Sequence, residues 1–262
     1  MSVVASGLTI TNGLINPSIV DDGLVLYYDV NNPRCYQSGS SVVQDLSSAN
    51  LDGGLVNNPQ FNEDPFYFTG FTSNQYVGVT NTGWASQIPT GNSERTIISA
   101  FRTPDAFTAN YYHILHYGDA QVNEAYGFAV WTNSGNGGIN PGNYDAVLGN
   151  HTWSGTFYAE FGLETETDYI GVIRYRDTDS PRASMYIERS FRDVGYGQGK
   201  SADYSINTGT TFAPRMGNRI STPSEPLGAE GRIYSILFYD RYLSDDEVVQ
   251  VYDAVSDSHG IG

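Results

Sequence analysis

Short apolar runs alternate with Gly, Pro, Asn or Asp along most of the chain. The first run, Leu24 to Val30, fits a central strand, and Asn31-Asn32-Pro33 ends it. Regular short strands with frequent turn signals and no intervening helices are typical of a β-sandwich or barrel. The pattern therefore predicts an all-β fold. The other clear strands that it predicts are Gly54–Val56, Gln75–Val79, Thr96–Phe101, Tyr112–His116, Tyr126–Trp131, Thr156–Phe161, Tyr169–Tyr175, Ala183–Ile187 and Arg232–Tyr239.

Residues 1–20 differ from the rest. They carry no charged side chain before Asp21 and contain the turn signals Asn12-Gly13 and Asn16-Pro17. We predict an extended N-terminal arm over 1–20 and one domain over 21–262. Thr9 to Thr11 have β-propensity, so the arm can add a strand to the sheet of a neighbouring subunit. Folding of the arm back onto its own domain is the alternative.

One helix is predicted, near the C-terminus. Ser244 and Glu247 have the spacing of a capping box, in which each side chain satisfies a backbone N–H of the other residue. Val248, Val251, Tyr252 and Val255 then give one apolar face, which we expect to lie against the sandwich.

The two ends of the domain resemble the LamG-like, concanavalin A-like family. The segment from Gly231 to Val248, which reads GRIYSILFYDRYLSDDEV, is similar to the closing strand, turn and helix of that family. The opening run GLVLYYDVNNP from Gly23 and the turn and strand DLSSANLDGGLV from Asp45 also match its pattern. The family's usual Asp-Gly turn is missing at Ile187-Glu188-Arg189, where we expect a longer or different turn.

The resemblance implies a two-sheet antiparallel jelly-roll sandwich with one short C-terminal helix. Domains that open in this way also occur in structural proteins of tailed bacteriophages. Because the same sandwich serves lectins, glycanases, adhesion modules and inert shells, the resemblance implies the fold more strongly than the ligand.

The charge excludes some partners. The net charge is −16, and Lys200 is the only lysine. No basic stripe is available for nucleic acid, and an anionic membrane repels such a surface, so we expect neither partner. The N-terminus lacks the basic and apolar regions of a signal peptide, and the single Cys35 fits a reducing compartment. We expect synthesis in a host cytoplasm.

Candidate catalytic residues are few. Glu164, Glu166 and Asp168 share a short segment, but their order differs from that of concanavalin A-like glycanases, and the segment has the composition of an exposed turn. His113 and His116 are three residues apart in a predicted strand, which places them on opposite faces and disfavours a shared metal ion. We predict that the chain is not an enzyme and that it has no catalytic residues.

Candidate binding residues flank the long loop from Thr132 to Asp145. Exposed aromatic rings beside polar groups are typical of sugar sites, so Trp131, Tyr144, Asp145 and Trp153 are the predicted ligand-binding residues. Packing in the core or at its rim is the alternative role of the aromatic rings. No cofactor is predicted, although Asp177–Asp179 and Asn140–Asp145 offer oxygen ligands for Ca²⁺. Which metal, if any, is bound is left open.

Together these observations favour a non-enzymatic virion structural protein, either a head decoration protein or a tail or fibre component. Its expected partners are other virion proteins and copies of itself, contacted through the arm, with cell-surface glycans as further candidates. A lectin-like carbohydrate-binding module is the alternative, and a glycoside hydrolase of the same fold is the third hypothesis.

Overall fold

The computed structural model describes residues 4–5, 8–9, 16, 18–72, 74–120, 124–132, 146–151, 156–196, 205–220 and 226–262. Within them, two antiparallel sheets and one C-terminal helix form the fold. The strands are β1 (Val4–Ala5), β2 (Leu8–Thr9), β3 (Leu24–Asp29), β4 (Val42–Val43), β5 (Gly53–Val56), β6 (Gln60–Glu63), β7 (Phe66–Thr69), β8 (Tyr76–Val79), β9 (Arg95–Arg102), β10 (Tyr111–Gly118), β11 (Ala125–Thr132), β12 (Ala146–His151), β13 (Thr156–Gly162), β14 (Asp168–Tyr175), β15 (Ala183–Ile187), β16 (Ser190–Arg192), β17 (Val194–Tyr196), β18 (Phe212–Met216) and β19 (Arg232–Tyr239), and the helix is α1 (Asp245–His259).

The predicted two-sheet sandwich is confirmed. One sheet has nine strands in the order β17-β13-β12-β11-β10-β18-β8-β5-β4. The other has the order β16-β15-β14-β9-β19-β7-β6, and β3 pairs with β19 beside β7, which makes eight strands. β4 and β6 are thus edge strands of different sheets. The strands β1 and β2 pair with each other, and with no other strand of the part of the chain that the structure describes.

Side-chain alternation along the strands builds the core. Tyr112, Val130 and Leu148 of the nine-stranded sheet point between the sheets, where they join Ile97 and Phe101 of the eight-stranded sheet. Every one of these five side chains is buried, because each sheet covers the inner face of the other. This interior is where the apolar residues of the predicted strands lie.

The helix covers the outer face of the eight-stranded sheet. Val248, Val251 and Val255 pack against Ile98 and Leu237 of that sheet in a second apolar layer. The predicted capping box is present: Ser244 Oγ accepts from the Glu247 N–H at 3.3 Å, and the Glu247 carboxylate accepts from the Ser244 N–H at 2.8 Å. No helix in the described residues is both long enough and apolar enough to cross a membrane.

The end of the predicted arm contacts this helix. Ile19 is buried in the helix-side layer, and the side-chain amide of Gln250 donates to the Ser18 carbonyl at 2.8 Å. The amide of Asn16 donates to the Ala254 carbonyl at 3.5 Å. Residues 1–3, 6–7, 10–15 and 17 lie outside the described residues, so attachment through the arm stays a prediction.

The turn between β15 and β16 is tight. Ile187 pairs with Ser190, so Glu188 and Arg189 alone make the turn, and both have positive φ, 51° and 52°. The turn is therefore not lengthened. It differs from the family's usual turn in using residues that pay a conformational cost at positive φ. Contacts of the Arg189 side chain with Asp253 and Ser256 of α1 offset that cost.

Candidate functional site

A groove of about 540 Å³ opens between the edges of the two sheets, beside β4 and β6. One wall is the loop that leads into β4, and the other is the turn and strand at β6. Ligand sites in proteins typically have volumes of about 300–1,000 Å³. The groove is therefore large enough for a small molecule or for part of a chain-like ligand.

Hydrogen bonds fix the first wall. The Tyr36 hydroxyl donates to the Ser40 carbonyl at 2.9 Å, and the Ser40 hydroxyl donates to the Val42 carbonyl at 2.8 Å. The Leu55 N–H donates to the Ser41 carbonyl at 3.1 Å, which ties the loop to the nine-stranded sheet. Gly39 adopts φ +84°, a conformation that residues with a side chain rarely adopt. The loop is thus held in one shape before any ligand arrives.

A side-chain clamp fixes the second wall. Asn57 and Asn58 have φ values of 54° and 56°, which Asn tolerates better than other residues with a side chain. The Gln75 side-chain amide donates to the carbonyls of Asn57 and Asn58, at 3.1 and 3.3 Å. The Asn57 amide donates to the Asn74 carbonyl at 2.8 Å. These bonds connect the turn to the start of β8.

Aromatic rings form the base of the groove. Tyr36 and Phe61 meet edge to face with 4.6 Å between ring centroids, and Tyr36 meets the buried Phe68 in the same way at 4.8 Å. Burial raises the pKa of Tyr36 above its ordinary value, and its phenol donates to the Ser40 carbonyl. Phe61 is half-buried and offers part of its ring to the groove.

The polar groups of the lining carry no charge. They are the hydroxyls of Ser38, Ser40 and Ser41 and the amides of Asn58 and Gln60. The remaining lining residues, Gly39, Leu55 and Pro59, add no titratable group. Among the described residues, the side chains of Ser38, Ser41 and Asn58 have no intramolecular hydrogen-bond partner. The groove therefore presents neutral donors and acceptors over an aromatic base, in a chain whose net charge is −16.

Three of the four predicted ligand-binding residues, Tyr144, Asp145 and Trp153, lie outside the described residues. The fourth, Trp131, is 2% exposed and packs on the outer face of the nine-stranded sheet. Its ring lies parallel to Tyr111 at 6.3 Å and 5.3 Å from Tyr158, centroid to centroid. A ligand-binding role for the four residues stays a prediction, and Trp131 is a packing residue in this structure.

The prediction that His113 and His116 lie on opposite faces is wrong. His113 pairs with Ala129 and Leu115 pairs with Phe128, so β10 has a bulge at this point. The extra residue shifts the alternation by one position. Both rings are therefore on the outer face, in an edge-to-face contact with centroids 4.6 Å apart. No group of three or more metal-binding side chains occurs among the described residues.

The acidic segment between β13 and β14 forms a turn, as its composition predicted. Glu164 and Glu166 are exposed, and Glu166 has φ 51°. Asp168 begins β14, where its carboxylate pairs with Arg102 at 3.0 Å and accepts from the Tyr234 hydroxyl at 2.6 Å. This carboxylate is thus occupied by structural contacts.

Within the described residues, the candidate calcium ligands Asp177 and Asp179 are also paired with arginine side chains. Arg182 pairs with Asp177 at 3.0 Å, and Arg176 pairs with Asp179 at 2.9 Å. Burial by itself raises the pKa of Asp177, but hydrogen bonds from Ser205 and Tyr175 and the Arg182 charge outweigh it and lower the pKa. Guanidinium groups thus take the place that a cation needs at these two carboxylates. The other candidate segment, 140–145, lies outside the described residues.

The groove was not predicted from the sequence, because its residues have the composition of turns. The signal that could have found it is the pair Phe61 and Glu63, followed by Asp64-Pro65 and then Phe66 and Phe68. Alternating residues on both sides of a turn dipeptide predict a hairpin. With that hairpin recognised, its aromatic face becomes a candidate surface.

Comparison with known proteins shows the fold and no family. No protein-family model matches the chain, and no curated protein matches it in sequence. Among solved structures, a Trypanosoma rangeli sialidase in a covalent-intermediate complex with 2,3-difluorosialic acid is similar over 91% of this chain and 35% of the sialidase, with 14% identity and a TM-score of 0.56. The receptor-binding domain of botulinum neurotoxin C/D mosaic serotype is similar over 90% of this chain and 52% of that chain, with 14% identity and a TM-score of 0.54.

These similarities correct one prediction. Sialidases, which are enzymes, are among the structures that share the fold. The prediction that the chain is not an enzyme is therefore wrong, because this fold does not exclude catalysis. The chain spans about a third of the sialidase chains and about half of the toxin domain. At identities of 14% the likeness shows the fold alone, a β-sandwich, and it assigns no activity to this chain.

Proposed function

We propose that this chain is a carbohydrate-recognition module that binds an uncharged sugar in the groove between β4 and β6. The observation that carries the proposal is the lining: neutral hydroxyls and amides around the half-buried ring of Phe61, which packs on the buried Tyr36. A sugar presents hydroxyls that both donate and accept and a C–H face that packs on aromatic rings, so this combination matches it on both counts.

The rigid walls support the proposal. Because Tyr36, Ser40 and Gln75 already hold the two walls, binding does not require a loop to be ordered first. Preorganised polar groups lose less entropy on binding. One structural neighbour, a sialidase, is seen in complex with sialic acid, and this supports a sugar as the class of ligand.

The charge of the lining distinguishes this ligand from sialic acid. Sialic acid carries a carboxylate, which a site normally meets with Arg or Lys. None of the described residues that line the groove is cationic, and the net charge of the chain is −16. Neutral sugars are therefore the proposed class.

A glycan array that holds neutral and sialylated oligosaccharides tests the proposal. We expect binding to neutral members, and loss of that binding in Ser41→Trp, which fills the groove. Ser48→Trp, at an exposed serine that does not line the groove, is the matched control and should bind as the wild type does.

A second variant removes one polar contact without blocking the groove. Asn58→Asp keeps the size of the side chain and replaces two donors by a negative charge, so affinity should fall about tenfold. Absence of binding to every neutral glycan, or unchanged binding by Ser41→Trp, would overturn the proposal.

The location that we propose is a virion, because domains that open in the way this chain does also occur in structural proteins of tailed bacteriophages. Mass spectrometry of purified particles tests this separately. Detection of the chain at a defined copy number per particle supports the location, and its absence from the particles contradicts it.

A further inference from the structure

Phe66 is a large apolar side chain left open to solvent beside the groove. It is 41% exposed, yet its ring stacks on Phe61 with 6.0 Å between centroids and 24° between planes. Phe61 is itself part of the groove base. The two rings thus form one continuous surface that begins inside the groove and ends outside it.

The register of the β6–β7 hairpin explains this surface. Phe61 pairs with Phe68, and Glu63 pairs with Phe66, so these four side chains share one face of the hairpin. Exposure increases along that face: Phe68 is fully buried in the core, Phe61 is half-buried, and Phe66 is exposed. The aromatic strip therefore leads from the core, through the groove, towards the end of the hairpin at Asp64-Pro65.

Charge selects the kind of chain that the strip can hold. The groove lining is neutral, and the far end of the strip carries the exposed carboxylates of Glu63 and Asp64. These carboxylates repel sialylated, sulfated or uronic acid chains. A neutral chain with successive apolar ring faces is not repelled by these carboxylates, and it brings no charge of its own that would be buried without a partner.

We infer that the site binds a neutral oligosaccharide of at least two consecutive sugars, one in the groove and the next stacked on Phe66. This inference rests on the proposed function. It adds that the ligand is a chain that continues out of the groove along the hairpin. Because Phe66 continues outside the groove the aromatic surface that Phe61 begins inside it, a second sugar can pack on Phe66.

Calorimetric titration with neutral homo-oligosaccharides of one to six units tests the inference. The probes are the cello-, laminari-, malto- and chito-oligosaccharide series, together with their monosaccharides. In the series that binds, we expect affinity to rise about tenfold from one unit to two or three, and to level off beyond that, because a second aromatic contact is added once.

Phe66→Ala should abolish the gain with chain length and leave monosaccharide affinity unchanged. Phe191→Ala is the matched control, since Phe191 is 38% exposed on β16, at the opposite edge of the same sheet. Both variants should stay folded with similar, small decreases in melting temperature, because each ring is partly exposed, at 41% and 38%, and packs on one neighbouring ring.

The outcomes separate the two proposals. Equal affinity for all chain lengths, or an undiminished length gain in Phe66→Ala, overturns this inference and leaves the groove as a site for a single sugar. Equal loss at every length in Phe66→Ala also overturns it, because Phe66 would then belong to the first sugar's site. If the wild type binds no member of any series, the proposed function fails and this inference fails with it.

Discussion

The helix side and the groove side of the sandwich are built in opposite ways. On the helix side, α1 covers the eight-stranded sheet with buried valines and begins at a capping box. The Arg241–Glu247 ion pair adds to this, because Nη1 and Nη2 of Arg241 donate to the Glu247 carboxylate at 2.9 and 2.7 Å. On the groove side, β4 and β6 leave the sheets open, and hydrogen bonds fix the loops without covering them. The comparison indicates that the helix side supplies stability, whereas the groove side supplies the open surface at which we propose recognition.

The two sides should differ most in how far a single substitution lowers the free energy of unfolding. Leu243 is fully buried where β19 leads into α1, so Leu243→Ala should lower the free energy of unfolding by about 2–5 kcal/mol. Phe66→Ala on the groove side should lower it by about 0.5–1.5 kcal/mol, because it removes one partly exposed aromatic pair. Urea denaturation of the two variants measures both, and equal losses would contradict the division of roles.

The helix cap gives a smaller effect. Ser244→Ala removes the acceptor for the Glu247 N–H and should cost about 0.5–2 kcal/mol of folding free energy. Ser38→Ala in the groove wall is the control, since the Ser38 hydroxyl is exposed and has no partner among the described residues. A melting temperature unchanged by Ser244→Ala would show that the cap does not stabilise the fold.

Acid should act on the helix side first. Hydrogen bonds from Arg241 lower the pKa of Glu247 from 4.5 to about 2, and those from Ser244 act in the same direction. Because the folded-state pKa is depressed, this stabilisation is complete above about pH 4.5 and is lost as the pH falls towards 2. Glu247→Gln should therefore flatten the decline of the melting temperature over this interval. An identical pH profile for the variant and the wild type would argue against the ion pair.

The groove should show the smallest response to pH. Tyr36 is the one titratable side chain among the described residues of its lining, and burial raises the pKa of Tyr36 above its ordinary value of 10. Affinity for a neutral glycan should thus stay constant within about twofold between pH 5 and 9. Calorimetry at several pH values measures this, and a marked pH dependence would point to a charged group at the ligand.

Aromatic residue type alone did not locate the site. Trp131 and Phe66 both belong to aromatic clusters, but Trp131 is 2% exposed and Phe66 is 41% exposed. Trp131 lies on a central strand of the nine-stranded sheet, whereas Phe66 lies at the end of an edge hairpin. Position within the sheet decides which ring can meet a ligand, and position is a tertiary property.

The sequence by itself determined the features that depend on near neighbours. The strands at 24–29, 95–102 and 232–239 follow from alternation and β-propensity, and α1 follows from its capping box and its apolar spacing. These signals involve residues a few positions apart. They predicted the all-β class, the closing helix and the exposed turn at Glu164 and Glu166.

Only the tertiary structure decided the rest. The bulge in β10 brings His113 and His116 to one face, and it depends on pairing with β11. The groove joins the loop at Ser38–Ser41 to the turn at Asn58, and Gln75, from a third segment, clamps that turn. Such contacts arise when separate strands become neighbours, so no local pattern encodes them. The open edge at β4 and β6 exists because no other described strand pairs there, and this depends on the order of strands in the whole sandwich.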